Sequence, residues 1–289
     1  MNPRLRMRLS MLAIAGCLSI GCGGVSHAQL KVTSHAGSVD GLLANSHLIA
    51  GRDEGLLIDA QLTRSDALQV VEMIKRSQIE RLTVFITHGH PDHYLGLAEI
   101  LSAFPRARAF SNAATAIAIA RDGNKARDYW KRSLGDDIVD RVIIPEVLRT
   151  REIELEGDAI RVIEMRDSSE SARPSVLYLR QRGWLFSGDL VYSGVHLWLA
   201  EDRPKKWRVA LDELGALGQI DMIYPGHGEA GSAGLLERNR TYLTRFMELT
   251  RKTGDAEELI EGMEDLYPAH QLPFFLRRAA EIAKGTSSQ

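Results

Sequence analysis

The stretch LTVFITHGHPDH, residues 82–93, decides the fold class of this chain. Its first five residues are β-formers, and the spacing of apolar residues from Tyr94 to Phe104 predicts a helix that Pro105 closes. The polar residues 87–93 are therefore expected on a loop between a buried strand and a helix. In α/β folds this is where chemistry is usually placed.

The loop contains three imidazoles and one carboxylate within six positions, in the order His88, His90, Asp92 and His93. With only nine His in 289 residues, chance is a poor explanation for this spacing. Neutral imidazole and carboxylate suit zinc, manganese or iron. We expect His88 and His90 to face one metal ion, and Asp92 and His93 to face a second.

Two later turns carry further candidate ligands. Asp189 follows the apolar strand Trp184–Ser187 at a glycine turn, so its carboxylate is expected to project from the sheet edge and bridge two ions. His227 lies between Gly226 and Gly228, which allow close backbone approach to a site.

The His88-x-His90-x-Asp92-His93 motif resembles the signature of the metallo-β-lactamase superfamily. Further matches follow the same order over much of the chain: Asn45, Ile58-Asp59, Phe186–Asp189 and Tyr224–Gly228. The resemblance implies an α/β fold, specifically a four-layer αββα sandwich with a binuclear metal centre along one edge of its sheets. It also implies that a metal-bridging hydroxide attacks an ester, lactone, amide or related bond.

The resemblance implies a ligand set as well. The first metal would be held by His88, His90 and a third residue, and Asp189 would bridge to the second metal, whose ligands would be Asp92, His93 and His227. Asp92 would also orient the nucleophile or accept its proton. Two divalent ions are expected, with Zn²⁺ the first choice, manganese or iron as alternatives, and one-metal occupancy left open.

The third ligand of the first metal departs from the family pattern. Most members have another His in a Gly-His-Thr segment, but this chain has no His from Tyr94 to Val195. Glu170 is proposed in its place, 19 residues before Asp189, a spacing like that in the alkylsulfatase branch. Asp167 is the competing carboxylate, and a weak or empty first site is the other interpretation.

Two residues beyond Asp189 are candidates for direct roles in catalysis. Tyr192 stands where the lactonase branch has a phenol that contacts the reacting carbonyl, so it is a candidate donor to a developing oxyanion, or a sheet-end tyrosine. His196 is a candidate pocket residue, leaving-group donor or unusual ligand, with a structural histidine as the favoured single interpretation. Trp198 and Trp207 are candidate pocket walls or packing residues.

The favoured function is an exported metal-dependent hydrolase of a small molecule, with a carboxylic ester, lactone, β-lactam or sulfate ester as substrate. One alternative is a mononuclear iron oxygenase of the persulfide dioxygenase kind. The other is a non-catalytic metal-binding protein. The formal net charge of −2 gives no electrostatic reason to expect a nucleic-acid partner.

The N-terminus has the pattern of a secretory signal. Three Arg precede an apolar run and a small-residue site ending at Ala28, which predicts a signal peptide over 1–28 and a periplasmic or secreted location. A lipobox-like segment ending at Cys17 is the alternative, a lipid-anchored protein. We expect residues 29–289 to form one domain without a transmembrane segment, helical from about 235. Cleavage would change the net charge from −2 to −5 and remove both Cys. The sequence leaves the oligomeric state open.

Overall fold

The computed structural model describes residues 29–165, 171, 173–201 and 203–286. These residues form two β-sheets and eight α-helices. The segment 1–28, with the predicted signal and Cys17, lies outside the described residues, and so do Asp167 and Glu170.

The first sheet has six strands in the order β1-β2-β3-β4-β5-β6. Their bounds are β1 Lys31–Ala36, β2 Asn45–Ala50, β3 Glu54–Ile58, β4 Arg81–Phe85, β5 Arg108–Ser111 and β6 Glu146–Val147. β1, β2 and β3 are antiparallel neighbours, and the sheet becomes parallel from β3 onward.

The second sheet has five strands in the order β11-β10-β9-β8-β7. Their bounds are β7 Glu152–Leu155, β8 Asp158–Glu164, β9 Ser175–Leu179, β10 Trp184–Tyr192 and β11 Met222–His227. In this sheet, β10 and β11 are the only parallel pair among the described strands, so their carboxyl ends lie side by side at one edge of the sheet.

The helices divide between the two outer faces. They are α1 Arg64–Ser77, α2 Pro91–Tyr94, α3 Leu97–Ala103, α4 Ala113–Leu134, α5 Pro204–Gly215, α6 Gly234–Lys252, α7 Ala256–Leu266 and α8 Pro273–Ala283. Apolar residues of α1 to α4 pack on one face of the first sheet, and those of α5 to α8 on one face of the second.

The alternation of apolar side chains along the strands explains the four layers. In the first sheet Leu57 and Val84 point to the helices, whereas Ile58 and Phe85 point to the other sheet and contact Leu177 and its neighbours. Because both faces of each sheet are covered at the centre, central strands such as β3 and β9 are almost entirely buried. The expected four-layer α/β arrangement is confirmed.

Several elements of the structure go beyond the elements predicted from the sequence. Helix α4 continues without a break through the charged stretch from Arg121 to Leu134. The strand that begins at Trp184 does not stop before a turn at Gly188 but continues to Tyr192, with irregular pairing at Gly188. Strands β5, β6 and β7 were not predicted, since each has only two to four residues.

The C-terminal part of the described chain contains α6, α7 and α8. Across the part of the chain that the structure describes, no helix has both the length and the apolar character to cross a membrane. The division into a signal and one domain stays a prediction.

Candidate metal centre

The histidine loop leaves the first sheet at the carboxyl end of β4 and turns into the short helix α2. Pro91 is at the start of this helix, where its fixed φ fits and its missing N–H costs nothing. The helix therefore begins abruptly and turns Asp92 and His93 inward, where both are buried, as is His88. His90 is partly exposed.

Asp59 holds two histidines of this loop in place. It directly follows β3 in a left-handed conformation, with φ of 61°, and its N–H donates to the carbonyl of Phe85. Its buried carboxylate accepts bonds of 2.8 Å from the N–H and hydroxyl of Thr87, and one of 2.9 Å from Nδ1 of His93. Because His93 donates through Nδ1, its Nε2 is turned toward the centre.

Thr87 extends this control to His88. Its hydroxyl proton is directed to Asp59, so Oγ1 is left to accept a bond of 3.0 Å from Nδ1 of His88. The Nε2 atom of His88 then carries the lone pair and lies 3.8 Å from Asp189 Oδ2.

His227 is oriented from the opposite side. Its Nδ1 donates to the carbonyl of Leu42 at 2.9 Å, which leaves Nε2 facing Asp189 Oδ2 at 3.2 Å and Asp92 Oδ2 at 3.4 Å. The turn that carries it is held by Asn45, whose side-chain amide donates to the carbonyls of Pro225 and Gly228 at 2.9 and 2.7 Å. Strand β2 of the first sheet thus positions a ligand on the second sheet.

Asp189 lies within β10 and not after it. Gly188 takes φ of 48° beside the side chain of Thr87, and the pairing of β10 with β11 shifts at this point. A bulge re-aims the following side chain. The neighbouring Gly226 leaves room for the carboxylate, because a Cβ there would lie 1.8 Å from Asp189 Oδ1.

The structure brings Tyr192 to the same centre. Its hydroxyl donates to Asp189 Oδ2 at 2.7 Å, and its ring stacks on His227 with centroids 5.1 Å apart. The fourth residue after it in sequence, His196, is placed elsewhere. Its Nδ1 lies 2.8 Å from the hydroxyl of Tyr242, and its ring neighbours His270.

Six of the predicted ligands form two groups in which the ligand atoms lie within 4.8 Å of one another. The first group is His88, His90 and Asp189, and the second is Asp92, His93 and His227. Among the described residues, His196 belongs to neither. The first site has two imidazoles and one carboxylate even without Glu170, which lies outside the described residues.

The electrostatics of the centre favour a cation. Burial opposes charge on Asp92, but the charges of His93 and His227 outweigh it and lower the pKa of Asp92 to about 2. Burial likewise opposes charge on His227, yet Asp189 and Asp92 raise the pKa of His227 to about 9. Despite burial, the same two carboxylates raise the pKa of His93 well above its usual value, and a divalent ion can replace the positive charge of the two histidines.

The unsatisfied atoms also fit a metal. Nε2 of His93 and Oδ1 of Asp189 are buried and make no hydrogen bond with the described residues, although they are 3.2 Å apart. Buried polar atoms without a hydrogen bond are uncommon and need an explanation. Nitrogen and oxygen donors that converge in this way are the ligands of zinc, manganese and iron.

A cavity of about 580 Å³ opens beside the centre. His90, Asp92 and Asp189 contribute to its lining, and Trp198 and Phe275 form an apolar wall with ring centroids 5.1 Å apart. Trp198 is therefore a pocket wall. Trp207, by contrast, is buried in the core, where its indole N–H donates to the carbonyl of Leu190.

Sequence reasoning did not assign a role to Asp59, Leu42 or His47. The acid directly after β3 was a usable signal for Asp59, since a polar residue at a strand end often serves a site. No residue type could have revealed Leu42, because its backbone carbonyl makes the contact.

Comparison with known proteins gives consistent matches. Residues 39–227 match the family model of the metallo-beta-lactamase superfamily. A hydroxyacylglutathione hydrolase from Actinobacillus pleuropneumoniae serotype 3 (strain JL03) is 26% identical over 163 residues, which are 56% of this chain and 58% of the relative. The chain thus spans a little under three fifths of the length of that relative.

Solved structures share the fold. A metallo-beta-lactamase from Pontibacter korlensis has a TM-score of 0.58 at 22% identity, covering 75% of this chain and 99% of that protein. A beta-lactamase domain protein from Burkholderia ambifaria has a TM-score of 0.59 at 18% identity, covering 83% of this chain and 80% of that protein.

The Asp59 contacts predict the effect of an Asp59→Asn substitution. An amide in place of the carboxylate cannot accept all three hydrogen bonds from Thr87 and His93. Because these bonds orient the imidazoles, the affinity for metal should fall about 10- to 100-fold. Competition with a chelator at pH 7 measures this change. Asp158→Asn is the matched control. Asp158, at the start of β8, is also buried, but its carboxylate pairs with Arg182 at 2.9 Å rather than with the histidine loop. Equal metal affinity in Asp59→Asn and the control would contradict the assignment.

His47 predicts a dependence of stability on pH. Burial lowers the pKa of His47 to about 4, and the neutral ring donates from Nε2 to the carbonyl of Pro225. Its pKa in the unfolded chain is 6.5, so between pH 6.5 and 4 the unfolded state binds more protons than the folded state. The free energy of unfolding therefore falls as the pH falls through this range. This contribution amounts to about 2 kcal/mol between pH 7 and 4.5.

The comparison is between wild type and His47→Gln, both metal-free, in urea unfolding at the two pH values. The difference in free energy of unfolding between pH 7 and 4.5 should be smaller in the variant by that amount. Identical pH dependence in both proteins would show that His47 is not the titrating group.

Proposed function

The chain belongs to the metallo-β-lactamase superfamily, and on that basis we propose that it is a metal-dependent hydrolase of a small molecule. One observation carries the proposal: two groups of three ligands, each within 4.8 Å, meet beside one cavity. A metal-binding protein without catalysis needs no such cavity at its ligands.

Six described residues would hold two metal ions. His88 and His90 would hold one ion, Asp92, His93 and His227 would hold the other, and Asp189 would be shared between them. Zn²⁺ is the proposed metal, and manganese and iron also suit this donor set. When bound, such ions polarise the group under attack and make hydroxide available from water at neutral pH.

Residues of the chain itself supply the remaining functions. The low pKa of Asp92, about 2, keeps it ionised at neutral pH, so it can orient water through its carboxylate. The hydroxyl of Tyr192, now directed to Asp189 Oδ2, is a donor at the centre that can turn to an oxyanion. Trp198 and Phe275 limit the access of water from one side.

Glu170 is proposed to complete the first metal site. The described residues that flank this segment support it, because the N–H of Ser175 donates to the carbonyl of Thr87 at 2.8 Å and the N–H of Met165 donates to the carbonyl of Pro174 at 2.9 Å. Both ends of the segment are therefore close to the histidine loop.

The names of the relatives support hydrolysis of an acyl-type bond. One relative is a hydroxyacylglutathione hydrolase and the solved structures include beta-lactamases, so carboxylic esters, lactones and β-lactams are the first substrate classes to compare. Sulfate esters are included because of the spacing between Glu170 and Asp189. Export with cleavage after Ala28 is proposed from the basic and apolar pattern of 1–28, with location in a periplasm or outside the cell.

The proposed function predicts two metal ions per chain and metal-dependent hydrolysis. Elemental analysis of purified protein measures the first, and initial rates on a panel of ester, lactone, β-lactam and sulfate ester substrates measure the second. His88→Ala and Asp189→Ala should each lower kcat/KM by at least about 100-fold, since each removes a ligand. His270→Ala, outside the centre, is the control. Full activity in His88→Ala, or in metal-free protein, would refute the mechanism.

Glu170 predicts a change in stoichiometry. Glu170→Ala should hold one metal ion where wild type holds two, because only His88, His90 and the shared Asp189 remain at the first site. Asp167→Ala is the matched control and should hold two. A count unchanged by Glu170→Ala would overturn the assignment of this ligand.

A further inference from the structure

A second cavity, of about 630 Å³, adjoins the one at the metal centre. The two cavities share four lining residues: Leu42, Tyr129, Trp130 and Phe274. We call the combined space the apolar trough. It extends from Asp92 and Asp189 at its near end to Val39 and Leu134 at its far end.

The two ends of the apolar trough differ in polarity. Beside the metal ligands, the near end has Glu201, Glu281 and Arg278, and a guanidinium nitrogen of Arg278 lies 3.6 Å from Glu281 Oε2. At the far end, Asp40 is the only formally charged residue among the described residues of the lining. An occupant that fits both ends has a polar group at the metal centre and an apolar arm beyond it.

The exposed apolar side chains support an apolar occupant. Val39, Tyr129 and Phe274 are 69%, 54% and 46% exposed, and all three line the far cavity. Clustered apolar side chains beside a site usually mark a surface that binds an apolar group. Because the walls continue to the metal ligands, the occupant most consistent with the geometry is part of the substrate.

We propose that the apolar trough binds an apolar arm of the substrate. The substrate is then an amphiphilic carboxylic ester or lactone whose reactive group lies at Asp92 and Asp189 and whose arm extends past Trp130 toward Val39. This inference rests on the proposed hydrolytic function. Hydrolysis adds one water across the C–O bond to give a carboxylate, an alcohol and a proton, and requires no other reactant.

The kinetic test uses zinc-loaded protein and p-nitrophenyl esters from butyrate to decanoate, each below its micelle concentration. Each methylene that enters the trough should raise kcat/KM about 3- to 4-fold until the trough is full. Val39→Glu and Ser133→Glu place charge at the far end, and each should lower the ratio of decanoate to butyrate kcat/KM at least about tenfold.

Val209→Glu is the matched control, because Val209 is also exposed, at 53%, but lies on α5. It should keep the wild-type ratio. A ratio that does not depend on chain length, or that falls equally in the control, would overturn the proposal.

A binding test separates this inference from the proposed function. Calorimetric titration of metal-free protein with 1-decanol and 1-butanol should show tighter binding of decanol, with a negative heat-capacity change, and at least fivefold weaker binding to Val39→Glu. Decanol binding without hydrolysis of any ester, lactone, β-lactam or sulfate ester in the panel would refute the proposed function and leave the trough assignment standing. Hydrolysis without decanol binding would refute the trough assignment alone.

Sedimentation of wild type and Val39→Glu tests the remaining occupant, a second copy of the chain. A single monomeric species in both supports the substrate assignment. A dimer that Val39→Glu dissociates would overturn it.

Discussion

The centre depends on one buried carboxylate, that of Asp59. A single side chain receives the backbone and hydroxyl of Thr87 and the Nδ1 proton of His93, and through Thr87 it also fixes the tautomer of His88. An ionised group is costly to bury, and three donors offset that cost here. The end of one strand thereby determines which nitrogen of two imidazoles faces the centre.

A second set of contacts joins the two sheets at the same edge. Asn45 and His47, on the first sheet, both donate to the carbonyl of Pro225 on the second, and His47 does so in its neutral form. His227 therefore has its position set by a strand about 180 residues earlier in the chain. The ligands can converge only when both sheets are formed and packed, so assembly of the centre is coupled to the complete fold.

The sequence predicts the parts of this molecule that are local. The histidine loop was recognisable because four ligands lie within six positions and a strand and helix flank it. The bulge at Gly188 was not, because it depends on how β10 pairs with β11 and on the side chain of Thr87. In the sequence, a strand that continues through a bulge at Gly-Asp looks the same as a strand that ends there. Only its pairing with the neighbouring strand distinguishes the two cases.

Non-local contacts account for the other differences. Tyr192 and His196 were both candidates by sequence, yet the structure separates them: Tyr192 stacks on His227, whereas His196 bonds to Tyr242. The contact of Leu42 with His227 is also non-local. Its carbonyl orients that ligand while its side chain lines both cavities of the apolar trough. The proposed trough and the candidate metal centre thus share one residue in a left-handed conformation, Leu42, with φ of 59°. Linkage makes such sharing reciprocal: an occupant that favours one position of Leu42 changes the affinity for metal, and the metal changes the affinity for the occupant by the same factor.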